Sequence, residues 1–448
     1  MNALTQYIEL FESQRAVIDS HAPAALNSRR QAALDTLRRI GRLPDRGDEG
    51  YSKISLNDMF APDYGINIAR VPFAADARTA YSCDIPSVGI LSAMLVNDAF
   101  VATPGLEKGL PDGVEVMSLA RAAEIYPDLV ADRIAPDDNA IDALNSLFVQ
   151  DGVFIRVRAG ITLDRPIQIL SLFNTSQPLM AARRTRIVIE QGARASVLVC
   201  DHPRVHDVDY LSCRVIEATV GEGASLDFYD LEESTARTRR ASVFAAAQAE
   251  GSSLNVCSIF LNGSMTRNEF YPRHHGEHCS TRLGGMVIGG GAQIIDNATF
   301  IDHIYPRCKS DQLFKYALFD SAQGSFEGMV RVDGRAQFTE AQQTNRNLLA
   351  SPDARMHAMP QLVIYCDEVK ASHGSATGQL DENAMFYMRS RGIPESEARM
   401  MLINAFMTDV LDAITLEPLR DRLRHLVDKR LRGCGSHCDN CSIESLRK

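Results

Sequence analysis

The sequence lacks a net positive charge, a long apolar run and the pattern of a secretory leader, and each absence excludes a class of protein. The 448 residues carry a formal net charge of −10, which argues against a general nucleic-acid binder because neutralising phosphates requires clustered lysine and arginine. No run of about 18 apolar residues, the minimum for a membrane-spanning helix, occurs in the sequence. Glu9, Glu12 and Arg15 interrupt the start of the chain, so no signal peptide is predicted. We therefore expect a cytoplasmic protein.

Familiar catalytic motifs are also missing. The glycine-rich stretch MVIGGGAQII at 286–295 has neither the Lys-Ser/Thr of a phosphate-binding loop nor a helical pattern after it, and it is interpreted as a β turn. Neither a G-x-S-x-G elbow nor a His-Glu-x-x-His motif occurs. The 10 cysteines are scattered, which is typical of reduced thiols rather than of a disulfide framework. The sequence thus favours a protein that is not an enzyme.

What is present begins with helical periodicity. Residues 1–75 contain two apolar stripes at helical spacing, and Asn27 and Ser28 are the expected caps of the second helix. The stripes are Leu4, Tyr7, Ile8, Phe11 and Ile18, then Ala33, Leu34, Leu37 and Ile40. The glycines and proline of GRLPDRGDEGYSKISL then end the pattern, as a connector does.

The middle of the chain, from about Val153 to Val369, is a succession of short alternating runs that suit half-buried strands. No long helical stretch separates them, which argues against a doubly wound α/β fold. Turns that pair a glycine with a small residue recur as QGARAS, GEGASL, AEGSSL, GGGAQI and DGRAQF. Stacked β-coils produce this signal, because glycine takes a left-handed corner and a small residue lets coils approach. An antiparallel sandwich gives a similar pattern, and a β-solenoid is favoured only slightly.

The last zone returns to helix, with a short helix ending at Gly392 and a second beginning near Pro394. The predicted apolar face of the second helix is Ala398, Met401, Leu402, Ala405, Phe406 and Val410. A third helix is expected near Pro418, with Leu419, Leu423, Leu426, Val427 and Leu431 inward. These helices are interpreted either as a docking module, with Leu402 and Phe406 as partner-binding residues, or as a cover for the solenoid.

These patterns predict an N-terminal helical domain at 1–75 and a β core at 76–372, with an irregular lead-in to about 150. A C-terminal helical domain at 373–432 and a cysteine-rich tail at 433–448 follow.

Two segments carry metal-ligating residue types. RHHGEHCS concentrates His274, His275, His278 and Cys279, which suit a soft or borderline metal, although a polar His-rich loop is the favoured interpretation. The tail spaces its thiols as C-x3-C-x2-C, which suits zinc or iron. Its candidate ligands are Cys434, His437, Cys438 and Cys441, against the alternative of a reduced, frayed terminus.

A single histidine, His373, stands where the apolar alternation stops and the helical pattern starts. Alone, such a histidine is more often a hydrogen-bonded structural residue than a ligand. Its neutral imidazole is nevertheless a good ligand for a borderline metal near pH 7, and Gly374 leaves room for a partner surface.

The stretch VKASHGSATGQLDENAMFYMRSRGIPESEARMMLINAF closely resembles the C-terminal signature of the SufB/SufD family of iron–sulfur cluster assembly proteins, in its SufD-type form. The resemblance continues in QFTEAQQTNRNLLASPDARMHAMPQLVIYCDEV, GAQIIDNATFIDHIYPRCKSDQLFK and LPDRGDEGYSKISL, and it is strong from about residue 250 to 412.

The resemblance implies a mainly β fold with flanking α, namely a right-handed parallel β-helix core between N-terminal and C-terminal helical domains. It implies a scaffold subunit that pairs with a SufB-like paralogue and docks a SufC-like ATPase on its C-terminal helices. A transient iron–sulfur cluster would form at the paralogue interface, where His373 matches the family's histidine, and reduced flavin is associated with such complexes. A homodimer is also open.

One departure from the family pattern matters. Many relatives have Cys-Ser-His-Gly where this chain has Ala371-Ser372-His373-Gly374, so the thiol is absent here. The alternatives are a SufB-like paralogue with an altered site, or a β-solenoid enzyme acting on acidic polysaccharide, which rests on fold analogy alone.

Overall fold

The computed structural model describes residues 2–72, 91–103, 106 and 109–432. Helices flank a β core in three groups, before, within and after its strands along the chain. They are α1 Ala3–Ser20, α2 Ala24–Ile40, α3 Leu56–Phe60, α4 Leu119–Ile125, α5 Pro127–Ala131, α6 Ala140–Phe148, α7 Glu382–Ser390, α8 Glu395–Asp412 and α9 Glu417–Leu431. None of the helices in these residues is long and apolar enough to cross a membrane.

The strands form a ten-stranded and a nine-stranded sheet. They are β1 Leu91–Val96, β2 Ala99–Val101, β3 Val114–Ser118, β4 Val153–Val157, β5 Ile167–Phe173, β6 Leu179–Ile189, β7 Arg194–Pro203, β8 Tyr210–Val220, β9 Ser225–Glu232, β10 Thr238–Gln248, β11 Ser253–Phe260, β12 Met265–His274, β13 Ser280–Gly289, β14 Ile294–His303, β15 Lys309–Leu318, β16 Gln323–Val332, β17 Thr339–Leu349, β18 Arg355–Ile364 and β19 Val369–Gly378.

From β4 onward, consecutive strands alternate between the sheets, and each strand pairs in parallel with the strand two positions away in sequence. The chain therefore coils as a parallel β-solenoid of about eight turns, which confirms the predicted β-helix and excludes the sandwich. Side chains from the facing sheets fill its interior, where Phe228 of β9 packs 4.8 Å from Phe244 of β10 between ring centroids.

One corner of the solenoid is a column of left-handed residues, each of whose N–H groups donates to a carbonyl of the next coil. Gly192, Gly223 and Gly251 occupy it in the earlier coils, with φ of 67°, 61° and 65°. The predicted role of these glycines is thus confirmed. Later coils place His278, Arg307 and Phe338 in the same column. In DGRAQF the left-handed residue is therefore Phe338, not the glycine that the pattern indicated.

The N-terminal helices cover the outer face of the nine-stranded sheet. Phe11, Leu37 and Leu144 of α1, α2 and α6 are buried in one cluster with Val215 and Val243 of the sheet. The predicted stripes are largely confirmed, since all of their residues are buried except Ile8 and Ile40, which are partly buried. The predicted caps were wrong: α2 begins at Ala24 after Pro23, because its first turn packs under the α4–α5 region.

The C-terminal helices α8 and α9 cover the ten-stranded sheet, and the inward face predicted for α9 is confirmed. The face predicted for α8 was partly wrong. Ile403, Met407 and Leu411 are buried, whereas Met401 is 47% exposed and Ala405 is exposed. Apolar residues lie on several sides of this helix, so its periodicity alone did not define the face that meets the sheet.

Candidate functional site

His373 lies in the middle of β19, not at the strand-to-helix junction that the sequence indicated. The apolar alternation stops before it because β19 belongs to the last coil, whose inward positions are open to solvent and are occupied by His373, Ser375 and Thr377. Within the described chain, β19 pairs with β17 alone and β18 with β16 alone, so both end their sheets. The imidazole is exposed at this open end.

The inward column that ends at His373 changes chemistry along the solenoid. Register pairs place its members in successive coils as Leu91, Ile167, Val197, Phe228, Val256, Leu283, Gln312, Gln343 and His373. The first six side chains are apolar and the last three are polar. Across the interior, aromatic Phe244 and Phe270 give way to Thr299, Gly328 and Pro360. The end of the solenoid near His373 is therefore polar inside.

Ala371 takes the position at which many relatives carry a cysteine, and it packs in a small apolar cluster that also holds Cys366. The Cys366 thiol does not substitute for the missing one. Its sulfur lies 3.5 Å from the Ala336 carbonyl oxygen, to which it donates, it is 8% exposed, and burial raises its pKa. A thiol in that state is a poor nucleophile and a poor metal ligand.

The histidines of RHHGEHCS do not converge. His274 and Cys279 are buried in the solenoid, whereas His275 and His278 are exposed outside it. No group of three or more metal-ligating side chains lies close enough to hold an ion in the part of the chain that the structure describes. Cys279 directly follows the left-handed residue of its coil, as Ala193, Ala224 and Ser252 do in earlier coils. It therefore occupies a corner position that small side chains fill.

A groove of about 720 Å³ runs along the ten-stranded sheet beside Ser372. Charged and small polar residues line it, among them Arg282, Lys309, Glu340 and Lys370. Its lining includes no aromatic side chain.

Leu402 and Phe406 are half-buried on α8. The Lys315 ammonium lies 4.9 Å from the centre of the Phe406 ring and donates to the Phe406 carbonyl at 2.6 Å. The more exposed apolar residues of this region are Phe386 and Tyr387 on α7, at 76% and 58% exposure, which the sequence did not single out. The four candidate ligands of the tail, Cys434, His437, Cys438 and Cys441, lie outside the described residues.

Comparison with known proteins decides the family. The family described as SUF system FeS cluster assembly, SufBD core domain, matches residues 172–406, and the SufBD protein N-terminal region matches residues 1–169. The chain belongs to the SufB/SufD family. As a member of the SufB/SufD family, it has a role in iron–sulfur cluster assembly.

Three relatives match this chain along most of their length. An iron–sulfur cluster assembly SufBD family protein of Synechocystis is 28% identical over 450 residues, covering 96% of this chain and 98% of the relative. The iron–sulfur cluster assembly protein SufD of Escherichia coli is 26% identical over 439 residues, covering 96% and 97%. SufD of Bacillus subtilis is 24% identical over 327 residues, covering 71% and 74%.

Proposed function

We propose that this chain is a non-catalytic scaffold subunit for iron–sulfur cluster assembly in the cytoplasm, acting with a SufB-like paralogue and a SufC-like ATPase. The observation that carries the proposal is the exposed imidazole of His373 on the last strand of a parallel solenoid. A solenoid end presents unpaired backbone N–H and C=O groups, which are a template for a strand of another chain.

The paralogue pairs with the open edges of β18 and β19 and thereby covers the polar interior around His373. The nascent cluster is cargo held between the two chains. A neutral imidazole is a suitable ligand for iron near pH 7. Because Ala371 supplies no thiol, the sulfur ligands come from the paralogue or from sulfide. A homodimer through the same edges competes with this pairing.

The ATPase docks on the C-terminal helices, where Leu402 and Phe406 form part of the contact. The exposed side chains of Phe386, Tyr387 and Met401 extend this apolar surface along α7 and α8. We also propose that reduced flavin takes part in the assembled complex.

The test is anaerobic co-purification of the chain with its SufB-like and SufC-like partners, followed by iron and sulfide analysis. We expect His373→Ala to lower the iron and sulfide bound per complex while the three proteins still co-purify. His278→Ala, which removes an exposed imidazole from a corner, is the matched control and keeps the parental content. Equal cluster content in the His373→Ala and parent complexes removes His373 from the mechanism, and failure of the parent chain to bind its partners contradicts the scaffold role.

A further inference from the structure

Gln343 lies in the coil directly beneath His373, at the register position paired with it. Its side chain is 1% exposed, and both its Oε1 and Nε2 atoms are buried without a hydrogen-bond partner among the described residues. An unpaired buried amide is destabilising, and such groups are rare in native structures. Packing at the Gln343 position does not require an amide group, because the apolar side chain of Leu283 occupies the same inward column two coils below.

The opposite sheet makes room for this carboxamide. A Cβ atom at Gly328 of β16 would lie 2.2 Å from Gln343 Nε2, so only glycine is compatible with the position of the amide. Gln312, one coil below, differs because its Oε1 accepts a hydrogen bond of 2.8 Å from the Thr299 hydroxyl. The Gln343 carboxamide thus makes no hydrogen bond to any described residue, and it lies one coil below His373.

Neighbouring register pairs of β17 and β19 show that side chains at such paired positions form hydrogen bonds between coils. The Ser375 hydroxyl of β19 donates to Asn345 Oδ1 of β17 at 3.0 Å, and Asn347 Nδ2 donates to the Thr377 hydroxyl at 3.1 Å. These pairs and Gln343–His373 are consecutive inward register pairs of β17 and β19. Polar side chains of β17 therefore reach the inward side chains of β19.

We propose that Gln343 is a positioning residue for His373. Rotation of the Gln343 side chain brings its carboxamide oxygen to accept the N–H of one imidazole nitrogen, which selects the ring tautomer and directs the lone pair of the other nitrogen toward iron. Histidines that bind metals almost always donate their second ring N–H to an oxygen acceptor in this way. This inference rests on the proposed function of His373 as a ligand.

The test uses the full chain labelled with 15N-histidine. The His373 resonances are assigned by their loss in His373→Ala, and the ring nitrogen shifts report the tautomer. We expect one dominant tautomer in the parent and a change toward an unrestrained mixture in Gln343→Leu. Gln343→Glu, which keeps an oxygen acceptor, restores the parental tautomer. Gln342→Leu is the matched control, because Gln342 is the adjacent glutamine on the exposed outer face of β17.

In the assembled complex we expect Gln343→Leu to lower iron retention about 10-fold, the lower end of the range for such supporting residues, with co-purification of the partners unchanged. An unchanged tautomer in a folded Gln343→Leu chain overturns the inference, whatever the iron content. A changed tautomer with full iron retention also overturns it, provided that His373→Ala loses iron. If His373→Ala retains iron as well, it is the proposed function of His373 that fails.

Discussion

His274 and His303 meet inside successive coils with their Nδ1 atoms 3.1 Å apart, and their surroundings assign the direction of every hydrogen bond. The Thr281 hydroxyl donates to Gln248, so it accepts from His274 Nε2 at 2.8 Å. His274 Nδ1 is then the acceptor for the N–H of His303 Nδ1, and Ser310 donates to His303 Nε2 at 2.8 Å. Burial lowers the pKa of both imidazoles and so favours their neutral forms, for which this assignment satisfies every ring nitrogen.

This pair predicts loss of stability in mild acid. Burial lowers the pKa of His303 from 6.5 to about 4, so the unfolded chain binds this proton before the native chain does. The free energy of unfolding therefore falls as the pH drops from about 6.5 to 4. From His303 alone we expect a loss of about 2 kcal/mol between pH 7 and pH 5. Urea unfolding at both values measures it.

The control for that experiment is His303→Gln, since Gln248 already occupies the same column two coils away. Other groups titrate in the same range, so the informative quantity is the difference in pH dependence between variant and parent. If the variant loses as much stability on acidification as the parent, His303 is not the cause.

Gly223→Ala is expected to destabilise the chain by about 1–2 kcal/mol, the cost of a side chain in the left-handed region. An added Cβ at Gly223 meets nothing within 4 Å, so the cost is confined to the backbone, whose φ is +61°. Gly378→Ala is the matched control, because its Cβ also meets nothing within 4 Å and its φ is not left-handed. Equal midpoints of thermal unfolding for the two variants would refute this account of the corner.

Arg184→Met is expected to cost about 3–5 kcal/mol, because it removes a buried cation that two buried carboxylates share. Arg184 joins β6 to α6 by pairing with Asp142, and it lies 3.1 Å from Glu217 Oε2. Burial alone would raise the pKa of Glu217, but Arg184 and Arg29 hold it below its usual range. Urea unfolding is the measurement.

Arg237→Met provides the comparison, since Arg237 pairs with Asp209 at 2.8 Å on the exposed surface. An exposed ion pair contributes less than about 1 kcal/mol. A similar loss of unfolding free energy in Arg184→Met and Arg237→Met would contradict the conclusion that burial makes the Arg184 ion pairs important for stability.

Ile403→Ala is expected to destabilise the C-terminal helices by about 2–5 kcal/mol, as deletion of a fully buried side chain does. Leu402→Ala should cost only about 1 kcal/mol because Leu402 is half-buried. Hydrogen exchange of α8 and α9 measures the loosening, and binding of the SufC-like ATPase measures docking. If Leu402→Ala leaves docking intact while α8 stays ordered, Leu402 is not a contact residue.

Local rules were sufficient for much of the architecture. Alternating apolar positions define strands wherever one side faces a filled interior, and glycine marks corners whose φ is positive, as at Gly192 and Gly251. The same rules failed at His373, because the last coil has no coil above it and its inward positions need not be apolar. They also failed on α8, where Met401 and Ile403 are equally apolar and only the sheet beneath distinguishes them.

By itself, the sequence determined that short strands fill the middle of the chain, where helices flank them and which glycines form corners, because these features depend on periodicity and on residues close together in the chain. It left stacked coils and a sandwich open. Only the tertiary structure decided which side chains share a column. Gln343 lies 30 positions before His373, and Gly328 precedes Gln343 by a further 15, yet register and sheet facing bring all three to one place. Which residues contact each other between coils depends on how many residues each coil contains. Because the turns vary in length, the local sequence pattern does not predict that number.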